Sequence, residues 1–189
     1  MTVRIEPFLP SDGGAVRQAA ELLVDGFRND WPEAWPDLDS ALRTVHDCTT
    51  TGRIARVARE DDGRVAGWIG AFPLYRRRVW ELHPLVVRAD LRGQGVGRAL
   101  VRDLEEQART AGGVTLWLGT DDENGRTSLS GVPLFPGVLG HLRDLRNLGG
   151  HPFTFYQRMG FEVAGVVPDA NGPGKPDILM AKSLLGGAP

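Results

Sequence analysis

Residues 80–98 read WELHPLVVRADLRGQGVGR, and the fold follows from how this stretch divides. Its first half, Trp80 to Val87, is aromatic and β-branched and is bounded by turn residues, which predicts a strand. Pro84 lies inside it and can donate no ladder hydrogen bond, so the strand is expected to bulge or splay there. The second half, Arg92-Gly93-Gln94-Gly95-Val96-Gly97, opens a helix predicted over Gly97 to Ala111, with Val96, Leu100, Val101, Leu104 and Ala108 at helical spacing. A strand, a glycine-rich turn and a helix N-terminus in succession make a ready anion site. Backbone N–H groups are unpaired there, glycine lets an oxyanion approach, and the helix dipole favours negative charge. The bare alternative is a turn and helix cap without a ligand. The Walker pattern is absent, since no Gly-Lys-Ser/Thr follows. The dinucleotide fingerprint also fails, because its last glycine would fall at Arg98.

Working outward, the chain has 189 residues, enough for one domain with a real core. A net charge of −2 gives no electrostatic reason to expect nucleic acid or an anionic membrane as a partner. The single cysteine, Cys48, excludes an internal disulfide framework and fits a reducing cytoplasm. Neither a signal-peptide core nor a run of membrane-spanning length is present.

Strands are predicted over Val3–Phe8, Arg53–Arg59, Val65–Leu74, Val114–Leu118, Phe161–Val167 and Ile178–Ser183, with Asp61-Asp62-Gly63 as a hairpin turn. Helices are predicted over Ala15–Phe27, Leu38–Thr50 and Pro152–Met159, with a broken one over Leu134–Leu148, where Pro136, Gly137 and Gly140 intervene. Two tryptophans and two prolines in Trp31–Pro36 exclude an ordinary helix there. The order β-α-α-β-β-β-α-β-α-β-β predicts an α/β (α+β) fold with one mixed sheet and helices on both faces, a single domain over 1–189.

Arg92-x-x-Gly95-x-Gly97 after a strand resembles the acetyl-CoA pyrophosphate loop of the GNAT acetyltransferases. Phe155-Tyr156-x-x-x-Gly160-Phe161 resembles that superfamily's second landmark. A closer resemblance is to the aminoglycoside 6′-N-acetyltransferases, an antibiotic-resistance branch. It rests on Trp80 to Val87, Leu118-Gly119-Thr120-Asp121-Asp122, His151-Pro152, Pro168 to Gly172 and Lys175-Pro176-Asp177, with Trp31-Pro32-Glu33 and Tyr75 in support. The chain departs from the branch in residues 36–62, at Arg76-Arg77-Arg78 and in 131–150.

The resemblance implies a mostly antiparallel sheet splayed at a central bulge, acetyl-CoA as cosubstrate, a homodimer, and direct acetyl transfer to an aminoglycoside 6′-amine. No metal site is expected from the residues, since His46 and Cys48, two apart on a predicted helix, share no face. It places the backbone N–H of Leu85 on the acetyl oxygen, a preorganised donor where charge develops. Val86 and Val87 would pair with the pantetheine arm. Arg92, Gly93, Gln94, Gly95, Val96, Gly97 and Arg98 would hold the pyrophosphate. Tyr156 becomes the general acid toward the departing thiolate or, since a phenol pKa of about 10 lies above a thiol's of about 8.5, a hydrogen-bond donor to it; a core tyrosine is the alternative.

Glu81 and His83 alternate on one strand and so share a face. Glu81 is the candidate base for the ammonium, and His83 a proton relay or a partner of the carbonyl region. Equally, they form a structural pair holding the bulge. Asp121 and Asp122 are either a turn or cap, or an anionic wall for the drug, to which Glu33 would add. Trp31 and Trp35 either lie under sugar rings or plug a helix pair, and Tyr75 is an acceptor-side candidate. The Arg76–Arg78 run is a solvated turn or a contact to the coenzyme 3′-phosphate. Two other readings stay open: acetylation of another polyamine or a protein amine, and a non-catalytic acetyl-CoA-binding module.

Overall fold

The computed structural model describes residues 3–186, which pack into two units: residues up to Leu116 together with those from Leu184 on, and Trp117–Ser183. In the first unit β1 (Arg4–Pro7) leads to helix α1 (Gly13–Phe27) and helix α2 (Leu38–Cys48). Strands β2 (Ile54–Arg59), β3 (Val65–Leu74) and β4 (Val79–Val87) follow, and helix α3 (Val96–Thr110) completes the unit's regular elements. Each strand pairs antiparallel with the next in the order β1-β2-β3-β4.

The helix starts are written locally. Asp12 accepts the Ala15 N–H at 3.0 Å, and Asp37 and Ser40 form a reciprocal capping box at α2. The α1/α2 face of the sheet buries Leu23, Val45, Val57, Trp68 and Val86. Burial of such side chains stabilises by about 1.5–3 kcal/mol each. Along β2 the neighbouring Arg56 points the other way, where its guanidinium meets Asp103 of α3 at 2.5 Å. Helices therefore cover both faces of this sheet, as predicted.

The second unit contains the rest of β5 (Thr115–Asp121), whose first two residues belong to the first unit. Helices α4 (Val138–Arg143) and α5 (Phe153–Arg158) and strands β6 (Glu162–Val167) and β7 (Asp177–Ser183) follow. β6 and β7 pair antiparallel, and β7 lies between β6 and β5. The α/β class and the antiparallel pairing agree with the sequence reading, and so does the element order except that two helices, α4 and α5, stand between β5 and β6 where the predicted order has one.

Two elements differ. β5 runs three residues beyond the predicted Leu118, which puts Asp121 on a strand end. Gly119 permits this, because a Cβ there would lie 2.4 Å from the Asp177 carboxylate. The predicted broken helix over 134–148 shrinks to α4. Pro136 precedes it, Gly137 begins it in the left-handed region at φ 97°, and none of its residues is buried.

Candidate active site

The bulge predicted from Pro84 is present. On β3, Ile69 and Ala71 are two residues apart, but their β4 partners, Leu85 and Leu82, are three apart. One extra β4 residue therefore reverses which face each later side chain takes. Before the bulge, Glu81 and His83 lie on the α1/α2 face; after it, Val86 takes that face, opposite Trp68. Gly70 makes room for the distortion. A Cβ at position 70 would stand 2.7 Å from the His83 carbonyl oxygen and 3.1 Å from the Cys48 sulfur. The Cys48 thiol donates to that same carbonyl at 3.6 Å, and its burial pushes its pKa up to about 12. A thiol so placed is a support for the bulge and a poor nucleophile.

His83 sits between two aromatic rings, 5.9 Å from Trp35 and 6.0 Å from Phe72. Trp35 is buried, packs on Phe27 at 4.7 Å and donates its indole N–H to Thr44, so it plugs the α1/α2 pair. Trp31 is half-buried against Trp35, and Glu33 is exposed.

No hydrogen bond or ion pair among the described residues reaches the half-buried Glu81 carboxyl, and desolvation raises its pKa. A raised carboxyl pKa means that ionisation costs folding stability at any pH above the ordinary carboxylate value. Glu81→Gln removes that cost. A thermal melt at neutral pH should show this variant unfolding above the wild type, with the gap closing below about pH 4.

Tyr75 is 78% exposed and opens a short turn in which Tyr75, Arg76 and Arg77 have φ of 46°, 58° and 66°. Three consecutive non-glycine residues in the left-handed region cost about 1–2 kcal/mol each. Val114 and Thr115 hold the turn's end through the Arg78 carbonyl.

The glycine turn also has the predicted form. Gly93 and Gly95 have φ of 77° and 91°, and a Cβ at either would meet nothing within 4 Å. Gly95 caps α3 without any side-chain bond, and the first turn of α3 carries no acid. Uncapped N–H groups, open space and no competing carboxylate fit an oxyanion such as a pyrophosphate. The loop is held from outside. Arg88 reaches buried Glu60 and bonds Asp90 at 2.7 Å, while the Gln94 amide donates to the Asp90 carbonyl at 2.8 Å. Arg92 donates to the carbonyls of Val87 at 3.2 Å and Gly26 at 3.3 Å, tying the end of β4 to α1. Arg88, Asp90 and Glu60 were not singled out from the sequence, because Glu60 lies on a distant hairpin.

In the second unit, Asp121 ends β5 half-buried, and the Asn171 amide donates to its carboxylate. Asp122 is 1% exposed, and its two oxygens accept the N–H groups of Arg126 and Thr127, each at 2.7 Å. Both of its oxygens thus go to shaping the loop, as in the cap reading. Tyr156 on α5 is buried between Phe155 and Phe161, with ring centroids 5.0 and 5.6 Å away. Burial raises its pKa, so the phenol stays protonated, and no described group hydrogen-bonds its hydroxyl.

His151 is buried and donates from Nε2 to the Asp121 carbonyl at 3.0 Å, while Nδ1 accepts the Phe153 N–H at 3.2 Å. That pair of bonds requires the neutral ring. Desolvation lowers its pKa; the nearby charges of Asp121, Asp122 and Arg126 have smaller effects. A His pKa depressed by folding contributes stability that is present above about pH 6.5 and lost as pH falls toward the folded value. Urea midpoints between about pH 7.5 and about pH 5.5 should therefore drop further for the wild type than for His151→Asn.

Among the described residues no group of three His, Cys, Asp or Glu is placed to hold a metal ion, and no helix is long and apolar enough to cross a membrane. No curated protein sequence matches the chain. The model of the acetyltransferase (GNAT) family matches residues 17–127. An aminoglycoside 6′-N-acetyltransferase solved with coenzyme A is 36% identical, with 98% of this chain and 99% of that one covered and a TM-score of 0.89. The aminoglycoside 6′-N-acetyltransferase from Enterococcus faecium is 34% identical over the same shares, with a TM-score of 0.86. An aminoglycoside 6′-acetyltransferase type Ii is 33% identical, again over 98% and 99%, with a TM-score of 0.74. With its glycine turn, bulged strand and tyrosine helix all in place, the chain belongs to the GNAT family of acetyltransferases.

Proposed function

We propose that this chain transfers the acetyl group of acetyl-CoA to the 6′-amine of an aminoglycoside, and that all 189 residues work as a single acetyltransferase domain. Its place would be the cytoplasm of a cell that the reaction protects from the drug. The observation that carries this reading is 36% identity over 98% of the chain to an aminoglycoside 6′-N-acetyltransferase solved with coenzyme A.

Acetyl-CoA, when bound, supplies an acetyl thioester whose thiolate can leave. The Leu85 N–H would donate to the acetyl oxygen, and the Val86 and Val87 backbone would accompany the pantetheine arm. The N–H groups from Gly93 through Gly97 to Arg98 would hold the pyrophosphate, together with the Arg92 edge not already bonded to the chain. Glu81, its pKa raised, takes a proton from the 6′-ammonium directly or through water, so that the neutral amine reacts. His83, steadied by Trp35 and Phe72, orients the amine beside it. Tyr156 would donate a hydrogen bond from its phenol to the departing sulfur, on which negative charge develops. Asp121, Trp31, Glu33 and exposed Tyr75 face the polycation, with Asp122 acting through its field.

Arg92→Ala should raise the acetyl-CoA KM roughly tenfold, the scale of one charge-assisted hydrogen bond, with little change in the drug KM. An unchanged coenzyme KM would count against the loop assignment.

The exposed Phe135, Leu139 and Leu148 of the 131–150 segment support a homodimer, which light scattering on the eluting protein would test. For the reaction itself, thiol release should be measured across kanamycin-type drugs, polyamines and peptides. Turnover should be greatest on drugs bearing a 6′-amine. Turnover on polyamines or peptides alone would make this a GNAT enzyme of another substrate class. Coenzyme binding without transfer would make it a binding module.

A further inference from the structure

We propose that His151 is a positioning residue, which fixes the spacing between the Tyr156 helix and the Asp121 end of β5 within the second unit; the inference rests on the functional reading above. One imidazole spans the two elements. Its Nδ1 takes the Phe153 N–H in the first turn of α5, three residues before Tyr156, and its Nε2 gives a hydrogen bond to the Asp121 carbonyl.

The ring is itself held in one orientation. Asn147 Oδ1 accepts the N–H groups of Gly150 at 2.8 Å and His151 at 2.9 Å. The same amide donates from Nδ2 to the His151 carbonyl at 2.8 Å and to Thr154 Oγ1 at 3.3 Å. Phe153 packs on the imidazole at 5.6 Å. Buried polar groups satisfied on both sides specify a unique geometry, and here it runs from the proposed general acid to the proposed acceptor carboxylate. α5 has no side-chain cap on its own N-cap residue, Pro152, so His151 replaces that function from one position earlier.

The two bonds can be removed separately. Asparagine places an oxygen where Nδ1 stands but falls short of Asp121; glutamine places a nitrogen where Nε2 stands but leaves the Phe153 N–H without its acceptor. His151→Asn should keep kcat within about twofold and raise the aminoglycoside KM about fivefold, the factor for one neutral hydrogen bond. His151→Gln should do the reverse, lowering kcat about fivefold with the drug KM nearly unchanged. Hydrogen exchange at the Phe153 amide, followed by NMR on the full chain, supplies a readout independent of activity. Exchange should speed up at least fivefold in His151→Gln and stay at the wild-type rate in His151→Asn. Equal kinetic losses in the two variants, or an unaltered Phe153 rate in His151→Gln, would overturn the proposal. Absence of turnover by the wild type on any 6′-amine drug would instead overturn the functional reading, and the exchange rates would then decide the positioning claim alone.

Discussion

Tyr156→Phe is expected to lower kcat by about a hundredfold or more while leaving the melting temperature nearly unchanged. The two halves of this expectation have separate causes. The ring packs between Phe155 and Phe161 and is buried, and phenylalanine preserves those contacts. No described group hydrogen-bonds the hydroxyl, so its removal breaks no native bond and leaves no partner unsatisfied. A tyrosine serving only the core would show no effect on turnover. For a general acid, loss of the proton donor falls on the chemical step, because the thiolate must leave without a proton source. The raised phenol pKa keeps the hydroxyl protonated throughout the neutral range and, lying above a thiol's of about 8.5, makes the donation a hydrogen bond to the sulfur, not a full transfer. Steady-state kinetics beside a thermal melt would check both halves, and intact turnover would return Tyr156 to the core.

Gly70→Ala should destabilise the fold by about 2–3 kcal/mol, in the upper range of overpacking changes, and lower kcat at least tenfold. The new methyl would meet the His83 carbonyl at 2.7 Å and the Cys48 sulfur at 3.1 Å, and neither belongs to the free end of a flexible side chain. Relief requires β4 to move away at the bulge, displacing the segment that carries His83 and Leu85. Gly13→Ala is the matched control. Nothing lies within 4 Å of its new methyl at the start of α1, so stability should hold or rise slightly. Urea unfolding of the pair would measure the difference, and equal midpoints would show that the bulge does not depend on Gly70.

Much of this was readable locally. Pro84 announced the bulge, the Gly93–Gly97 spacing announced the turn into α3, and the five apolar positions assigned to α3 are all buried. What escaped is set by pairing between distant segments. Gly70 looks like any strand glycine until β4 is laid beside it with one residue too many. Trp31 and Trp35 were equivalent in the sequence, and only the packing of α1 against α2 separates the half-buried ring from the plug. Asp121 and Asp122 read as one acidic pair, but Asp121, on the end of β5, takes the Asn171 amide, while Asp122, just past the strand, is consumed by the backbone of its own loop. In the sequence His151 has no partner at a telling spacing; its role as a bridge depends on Asp121, thirty residues earlier.

In the proposed reaction the acyl group ends on one particular nitrogen. NMR of the product formed from acetyl-CoA and a kanamycin-type drug would locate it. A single new amide at the 6′ position is expected, with no product from a drug lacking that amine. An acetyl group on any other amine, or an unmodified drug beside active turnover on a polyamine, would contradict it.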